Sequence, residues 1–200
     1  MKLLRTALII TALSVLAAMS QAQIFISHWY PVFTNYVSNP GFESGYVYWD
    51  RSQSYEETDE VVYINLGSIT SDAHFGKYGM DLNLGSGGGY NGYFHSDIRQ
   101  TLSIPIPVSS LVDGSIWCQS SGNYLNMVVT YTDNTQTYGS FHIDSASATA
   151  GNNGYVQWNF LPLLNQSKTI KAIDFYADSF EGFDVVIDDV SLTTLRWIYI

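Results

Sequence analysis

"YLNMVVTYTDNTQTYGSFHI", residues 124 to 143, decides the fold class. Leu125, Met127, Val129 and Tyr131 alternate with Tyr124, Asn126, Val128 and Thr130, a period of two that belongs to a strand with one face in a core. Asp133-Asn134 is a turn signal. Beyond it the alternation resumes, with Thr137, Gly139, Phe141 and Ile143 on one side and Gln136, Tyr138, Ser140 and His142 on the other. The stretch therefore reads as two antiparallel strands, 124 to 131 and 136 to 143, joined by a short turn.

The same rhythm extends in both directions. Runs at 33 to 37, 61 to 66, 78 to 84, 97 to 104, 115 to 120, 155 to 161, 170 to 176 and 184 to 194 read as further strands, and no stretch after residue 22 holds a helical period. Asp113-Gly114, Ser121-Gly122-Asn123 and Gly151 to Gly154 punctuate them, which predicts an all-β sandwich. Pro105 and Pro107 are expected to end the strand before them. Gly85 to Gly92, "GSGGGYNG", lacks the Lys-Ser/Thr and the following helix that a phosphate-binding loop needs. Glu56, Glu57, Asp59 and Glu60 read as a solvated acidic loop.

Lys2 and Arg5 precede an apolar run from Ala7 to Ala18, and Ser20-Gln21-Ala22 offers the small residues of a cleavage site. Residues 1 to 22 are thus expected to be a signal peptide, which predicts a secreted, extracellular or cell-surface protein. The run is shorter than the roughly 20 residues of a spanning helix, so no membrane span is expected after cleavage. The chain carries 18 acidic against 8 basic side chains, a net charge of −10, and its basic residues are scattered, which argues against nucleic acid as a partner. Cys118 is the single cysteine, so no intrachain disulfide braces the fold. Residues 23 to 35 form an extended segment, "QIFISHWYPVFTN", ahead of a domain at 36 to 200. It suits either an edge strand covering its own sheet or a strand lent to a neighbouring subunit.

Five short motifs then fall in a telling order: "VSNPGFESG" at 37 to 45, "HFGKYGMDL" at 74 to 82, "IRQTLSI" at 98 to 104, "YTDNTQT" at 131 to 137 and "VVIDDVSL" at 185 to 192. Together they resemble the carbohydrate-binding modules of families four, nine and twenty-two over residues 36 to 194. The resemblance implies a galactose-binding-domain-like β-sandwich jelly roll. It also implies a structural calcium held by the Glu of the opening motif and an Asp of the closing one. Those are Glu43 and Asp188 or Asp189, helped by carbonyls of the turn around Gly76 and Lys77. Carboxylates with carbonyls are the right chemistry for that ion. Alternatively, Glu43 bonds backbone amides of its turn and one of the two Asp residues faces solvent. Strict alternation separates Asp188 from Asp189 unless a bulge intervenes. Trp49 is expected in the core.

Parity nominates a binding surface. With Ile116, Cys118, Val156, Trp158 and Phe160 inward, the outward set is Trp117, Gln119, Tyr124, Asn126, Tyr138, His142, Tyr155 and Gln157. Aromatic rings beside amides suit sugars, whose C–H faces stack while their hydroxyls need fixed partners, although such residues also furnish an ordinary solvent-facing sheet. This face is expected to carry essentially no carboxyl groups. No H-E-x-x-H or G-x-S-x-G occurs, and His28, His74, His95 and His142 lie far apart, so no enzyme is expected. The leading expectation is a secreted, non-catalytic, carbohydrate-binding-module-like protein that binds a polysaccharide. The alternative is a structural subunit of an extracellular filament or surface layer, self-assembling by exchange of its N-terminal strand. Asn165-Gln166-Ser167 offers a glycosylation sequon.

Overall fold

The computed structural model describes residues 28–57, 60–62, 68–82, 93–144, 154–179 and 184–199. The expected signal peptide, the glycine-rich loop and residues 23–27 of the extended segment lie outside the described residues. The chain divides into two compact units, Phe33–Arg196 and a terminal unit of Met1–Val32 with Trp197–Ile200. In the terminal unit the Trp29 and Tyr199 rings lie 5.2 Å apart and both are exposed.

Among the described residues twelve strands follow in order: β1 (Trp29–Asn35), β2 (Asp50–Glu57), β3 (Glu60–Val62), β4 (Ser68–Thr70), β5 (Gly79–Asp81), β6 (Tyr93–Pro107), β7 (Leu111–Gln119), β8 (Tyr124–Tyr131), β9 (Gln136–His142), β10 (Val156–Asn159), β11 (Thr169–Ser179) and β12 (Val186–Tyr199). One sheet runs β10-β7-β12-β5-β4, with β1 also paired to β12. The other runs β3-β2-β6-β11-β8-β9. We call them the first and second sheets.

The opening hairpin lies where the alternation places it. β8 and β9 pair antiparallel from Tyr124 with His142 to Thr130 with Gln136, and Asn134 takes the left-handed conformation, φ 64°, in the turn between them. Leu125, Met127, Val129 and Tyr131 are buried. They meet Ile98 and Phe175 of the second sheet and Met80, Ile116, Trp158, Ile187 and Leu192 of the first in one core. Burying side chains of this size stabilises by about 1.5–3 kcal/mol each before chain entropy is counted, so the core alone gives a disulfide-free domain ample support.

Three expectations are corrected. The run taken for an acidic loop contains a hairpin, since Glu57 of β2 pairs with Glu60 of β3 and β2 pairs with β6 along its length. β2 reads "DRSQSYEE" and has no apolar period, so the open edge of β6, rather than local preference, makes it a strand. β4 likewise escapes notice because it has only three residues. Thirdly, β6 does not stop before its prolines. Ala172 pairs with Thr101 but Ile170 pairs with Ile106, so residues 102–105 pass without partners on β11, where the missing N–H of Pro105 does no harm.

The opening motif ties the two sheets together. Ser38 N–H donates to Gln100 Oε1 at 2.7 Å and Gln100 Nε2 donates back to the Ser38 carbonyl at 2.8 Å, while Val190 N–H of β12 donates to the Pro40 carbonyl at 3.1 Å. Trp49 is buried against Phe42 and donates its indole N–H to the Asn39 carbonyl at 3.0 Å, the core role expected of it.

Candidate functional site

Side-chain parity along a strand says which residues face outward, but not which sheet carries them. Tyr124, Asn126, Tyr138 and His142 share the outer face of the second sheet through β8 and β9. Trp117, Gln119 and Gln157 belong to the first sheet through β7 and β10, so the eight residues cannot form one surface. Tyr155, just before β10, is fully buried and donates its hydroxyl to the Asp72 carbonyl at 3.2 Å. Gln157 donates to Ser115 Oγ at 3.1 Å, and Trp117 stacks on the His74 ring at 3.8 Å and 9°. This half of the predicted set serves the first sheet and its neighbouring turn.

The outer face of the second sheet is fuller than the sequence reading made it. Across the strands, Ser52, Asp97, Tyr176, Asn126 and Ser140 are successive partners, and beside them run Asp50, Arg99, Asp174, Val128 and Tyr138. Four carboxyl groups, Asp50, Asp97, Asp174 and Asp178, therefore stand on a face expected to carry essentially none. Alternation in "YFHSDIRQ" and "AIDFYADS" carries that information, because Phe94, Ile98, Phe175 and Ala177 are buried and the acids sit at the opposite parity.

Each acid has a different setting. Asp97 Oδ2 accepts from Ser52 Oγ at 2.5 Å and lies 3.2 Å from His95 Nε2. Burial works to raise its carboxyl, but the bonds from His95 and Ser52 outweigh that and hold it below the usual range. The bond to Asp97, opposed by burial, in turn raises the His95 imidazole. Asp178 accepts from the Tyr93 hydroxyl and, at 3.3 Å, from Asn126 Nδ2. Asp174 is the exception, since its Oδ1 is shielded from solvent and has no hydrogen-bond partner among the described residues. Burial first and the charge of Asp97 second push its carboxyl up to about 7, with Arg99 and His95 only partly offsetting them. At the rim, Tyr138 and Tyr124 are 65% and 55% exposed, and neither ring is packed into the core. The Tyr124 ring lies 4.8 Å from that of His142.

The predicted metal residues do gather, at the turn between β4 and β5. Glu43 Oε1 accepts from the N–H groups of Lys77, at 2.6 Å, and Tyr78, at 3.0 Å. Asp188 is fully buried; its Oδ2 accepts from the amides of His74 and Phe75 at 2.9 and 3.1 Å, and its Oδ1 from that of Asp189 at 2.8 Å. Burial raises its carboxyl to about 6 despite those amides. The bulge that brings both aspartates to one turn is present. Register on β7 slips between Asp188 and Ser191, and Asp189 takes φ 47° and bonds His74 Nδ1 at 2.7 Å. Glu43 thus bonds amides of another turn rather than its own, and Asp189 is half-buried rather than solvent-facing.

For calcium, the chemistry of the donors is right but the side-chain share is small. Glu43 Oε2 and Asp189 Oδ1 are the carboxylate oxygens of the trio that have no hydrogen-bond partner among the described residues. Among those residues no group of three or more His, Cys, Asp or Glu is close enough to hold a metal, so an ion here must draw mainly on carbonyl oxygens. Asn165 is exposed, its Oδ1 accepting from Ser167 N–H and Oγ at 3.1 and 2.8 Å.

No family model and no curated protein matches the chain. Solved structures do. The carbohydrate-binding module TmCBM61, determined in complex with β-1,4-galactotriose, matches with TM-score 0.51 at 18% identity over 82% of this chain and 98% of that one. The fold is that of a β-sandwich carbohydrate-binding module. The same sandwich also occurs inside longer chains: the enzymatically active domain of bacteriophage CBA120 tailspike protein 4 matches with TM-score 0.53 at 13% identity, over 81% of this chain but 21% of that one. A family 11 carbohydrate-binding module from Clostridium thermocellum, solved with a β-1,3-1,4-mixed-linked tetrasaccharide, matches with TM-score 0.48 at 15% identity over 82% of this chain. The resemblance drawn from the five motifs and the jelly-roll fold both hold at this level, and identities this low establish the fold alone.

Proposed function

We propose that the chain is a secreted, non-catalytic glycan-binding protein that holds a neutral oligosaccharide or polysaccharide on the outer face of the second sheet. The observation that supports this most is the pairing of exposed Tyr124 and Tyr138 with a polar floor of Asn126, His95, Asp97, Asp174 and Asp178. Rings offer a plane for the C–H face of a sugar, while carboxylates and the amide orient its hydroxyls. TmCBM61, which matches in fold, was solved in complex with β-1,4-galactotriose, which fits the reading. Carboxylates on this face disfavour uronate or sulfated chains. An array of neutral oligosaccharides that includes β-1,4-galactotriose tests it; binding of at least one is expected, and a blank array on folded protein refutes it.

Strand exchange with a second subunit draws no support from the pairing of β1, which lies against β12 of its own chain. The reading keeps a structural calcium at the turn between β4 and β5, with Glu43 and Asp189 supplying the free oxygens, carbonyls near Gly76 and Lys77 the rest, and Asp188 the buried anchor. It would add to the amide bonds rather than replace them. Chelation is then expected to lower the melting temperature by about 2–4 °C per kcal/mol of binding energy lost. A melt unmoved by chelator removes the ion and leaves the amide clasp.

A further inference from the structure

We propose that glycan binding on this face is coupled to the ionisation of Asp174, whose carboxylate accepts a hydroxyl of the bound sugar, so that binding releases a proton and tightens as pH rises. The inference rests on the reading of the second sheet's outer face as the glycan site.

Position comes first. β11 runs between β6 and β8, so Asp174 stands inside the sheet rather than at an edge, opposite Arg99 on one side and Val128 on the other. Asp97 and Asp178 each have two partners, whereas Asp174 Oδ1 is shielded and has none among the described residues. A shielded carboxylate oxygen without a partner makes the charged form expensive, and the part-exposed side of Asp174 lies on the face a ligand covers, where a donated hydrogen bond favours ionisation. The groups around it are accounted for strand by strand. β6 contributes His95, Asp97 and Arg99; β11 itself Tyr176 and Asp178; β8 the neutral Asn126 and Val128; β9 Tyr138; and β2 Asp50 and Ser52. Only Arg99 and His95 can stabilise the charged form, and they leave the carboxyl near 7 in the free protein.

A hydroxyl donated to the Asp174 carboxylate stabilises the ionised form and not the neutral one, so it lowers the carboxyl's pKa. Linkage then makes the coupling reciprocal: deprotonation strengthens binding by the factor by which binding favours deprotonation. Each unit of lowering appears as about a tenfold gain in affinity between the acid and alkaline limits.

The test uses full-length mature protein, its Asp174→Asn variant, and β-1,4-galactotriose with the strongest neutral binder of the array as probes. Titration calorimetry from pH 5.5 to 8.5 is expected to show affinity rising about tenfold in the wild type and flat in the variant. At pH 7, buffers of different ionisation enthalpy should report net proton release by the wild type alone. Equal pH dependence in both proteins assigns the effect to His95 and overturns the proposal, as does flat binding by the wild type; in both cases the glycan site stands. No binding to any probe at pH 8.5 overturns the site itself, and the coupling falls with it.

Discussion

Asp174 shows how much one residue's setting exceeds its identity. In the sequence it is one acid among 18 on a strand whose parity places it outward. Only with β6 and β8 on either side does it become a shielded carboxyl facing Asp97. Its folded-state pKa of about 7 lies above the ordinary value of 3.8, so the folded protein holds that proton more tightly than the unfolded chain does. The resulting stabilisation is complete below about pH 4 and is lost as pH rises through 7. Asp174→Asn, which cannot ionise, is therefore expected to gain on the wild type in chemical denaturation at pH 8.5 compared with pH 5. A constant difference between the two proteins would show that the carboxyl is not strained. Gln100 is the opposite case: buried in β6 at the parity of Ile98 and Leu102, it spends both ends of its amide on Ser38, a long-range partner that alternation does not name.

Among elements, β8 and β9 were legible to the residue at their start, because local alternation and a turn with Asn134 in the left-handed region agree with the packing. β2 was not legible, since its strand state comes from β6. The binding face failed for a related reason: parity orients each strand, but the partner of each strand is a long-range fact, and β7 with β10 belong to the other sheet. The turn at 74–78 was legible through its motif, and its glycine is demanded twice. Gly76 takes φ 85°, and a Cβ there would stand 2.2 Å from Glu43 Oε1, inside the carboxylate that caps the Lys77 and Tyr78 amides. Gly76→Ala is expected to destabilise by about 1–3 kcal/mol from the backbone alone, with further loss as Glu43 is displaced. Urea denaturation measures it, and a change below about 0.5 kcal/mol would mean the turn is not held as described.

At the scale of the whole molecule, the opening motif and the closing strand secure a sandwich without disulfides. Glu43 holds a turn, and the proposed glycan face lies on a different sheet from half of the residues first nominated. The net charge of −10 sets which ligands reach that sheet, since long-range repulsion of polyanions acts before any contact forms and weakens with salt. Among the described residues no helix is long and apolar enough to cross a membrane. The central claim is that the outer face of the second sheet, and not that of the first, binds glycan. It is tested most directly by titration calorimetry of one neutral oligosaccharide against three proteins: the wild type, Asn126→Ala with Tyr138→Ala on the second sheet, and Gln157→Ala on the first. The account predicts that the double variant, folded by circular dichroism, loses binding by at least about tenfold while Gln157→Ala keeps it. Retained binding in the double variant with loss in Gln157→Ala would contradict it.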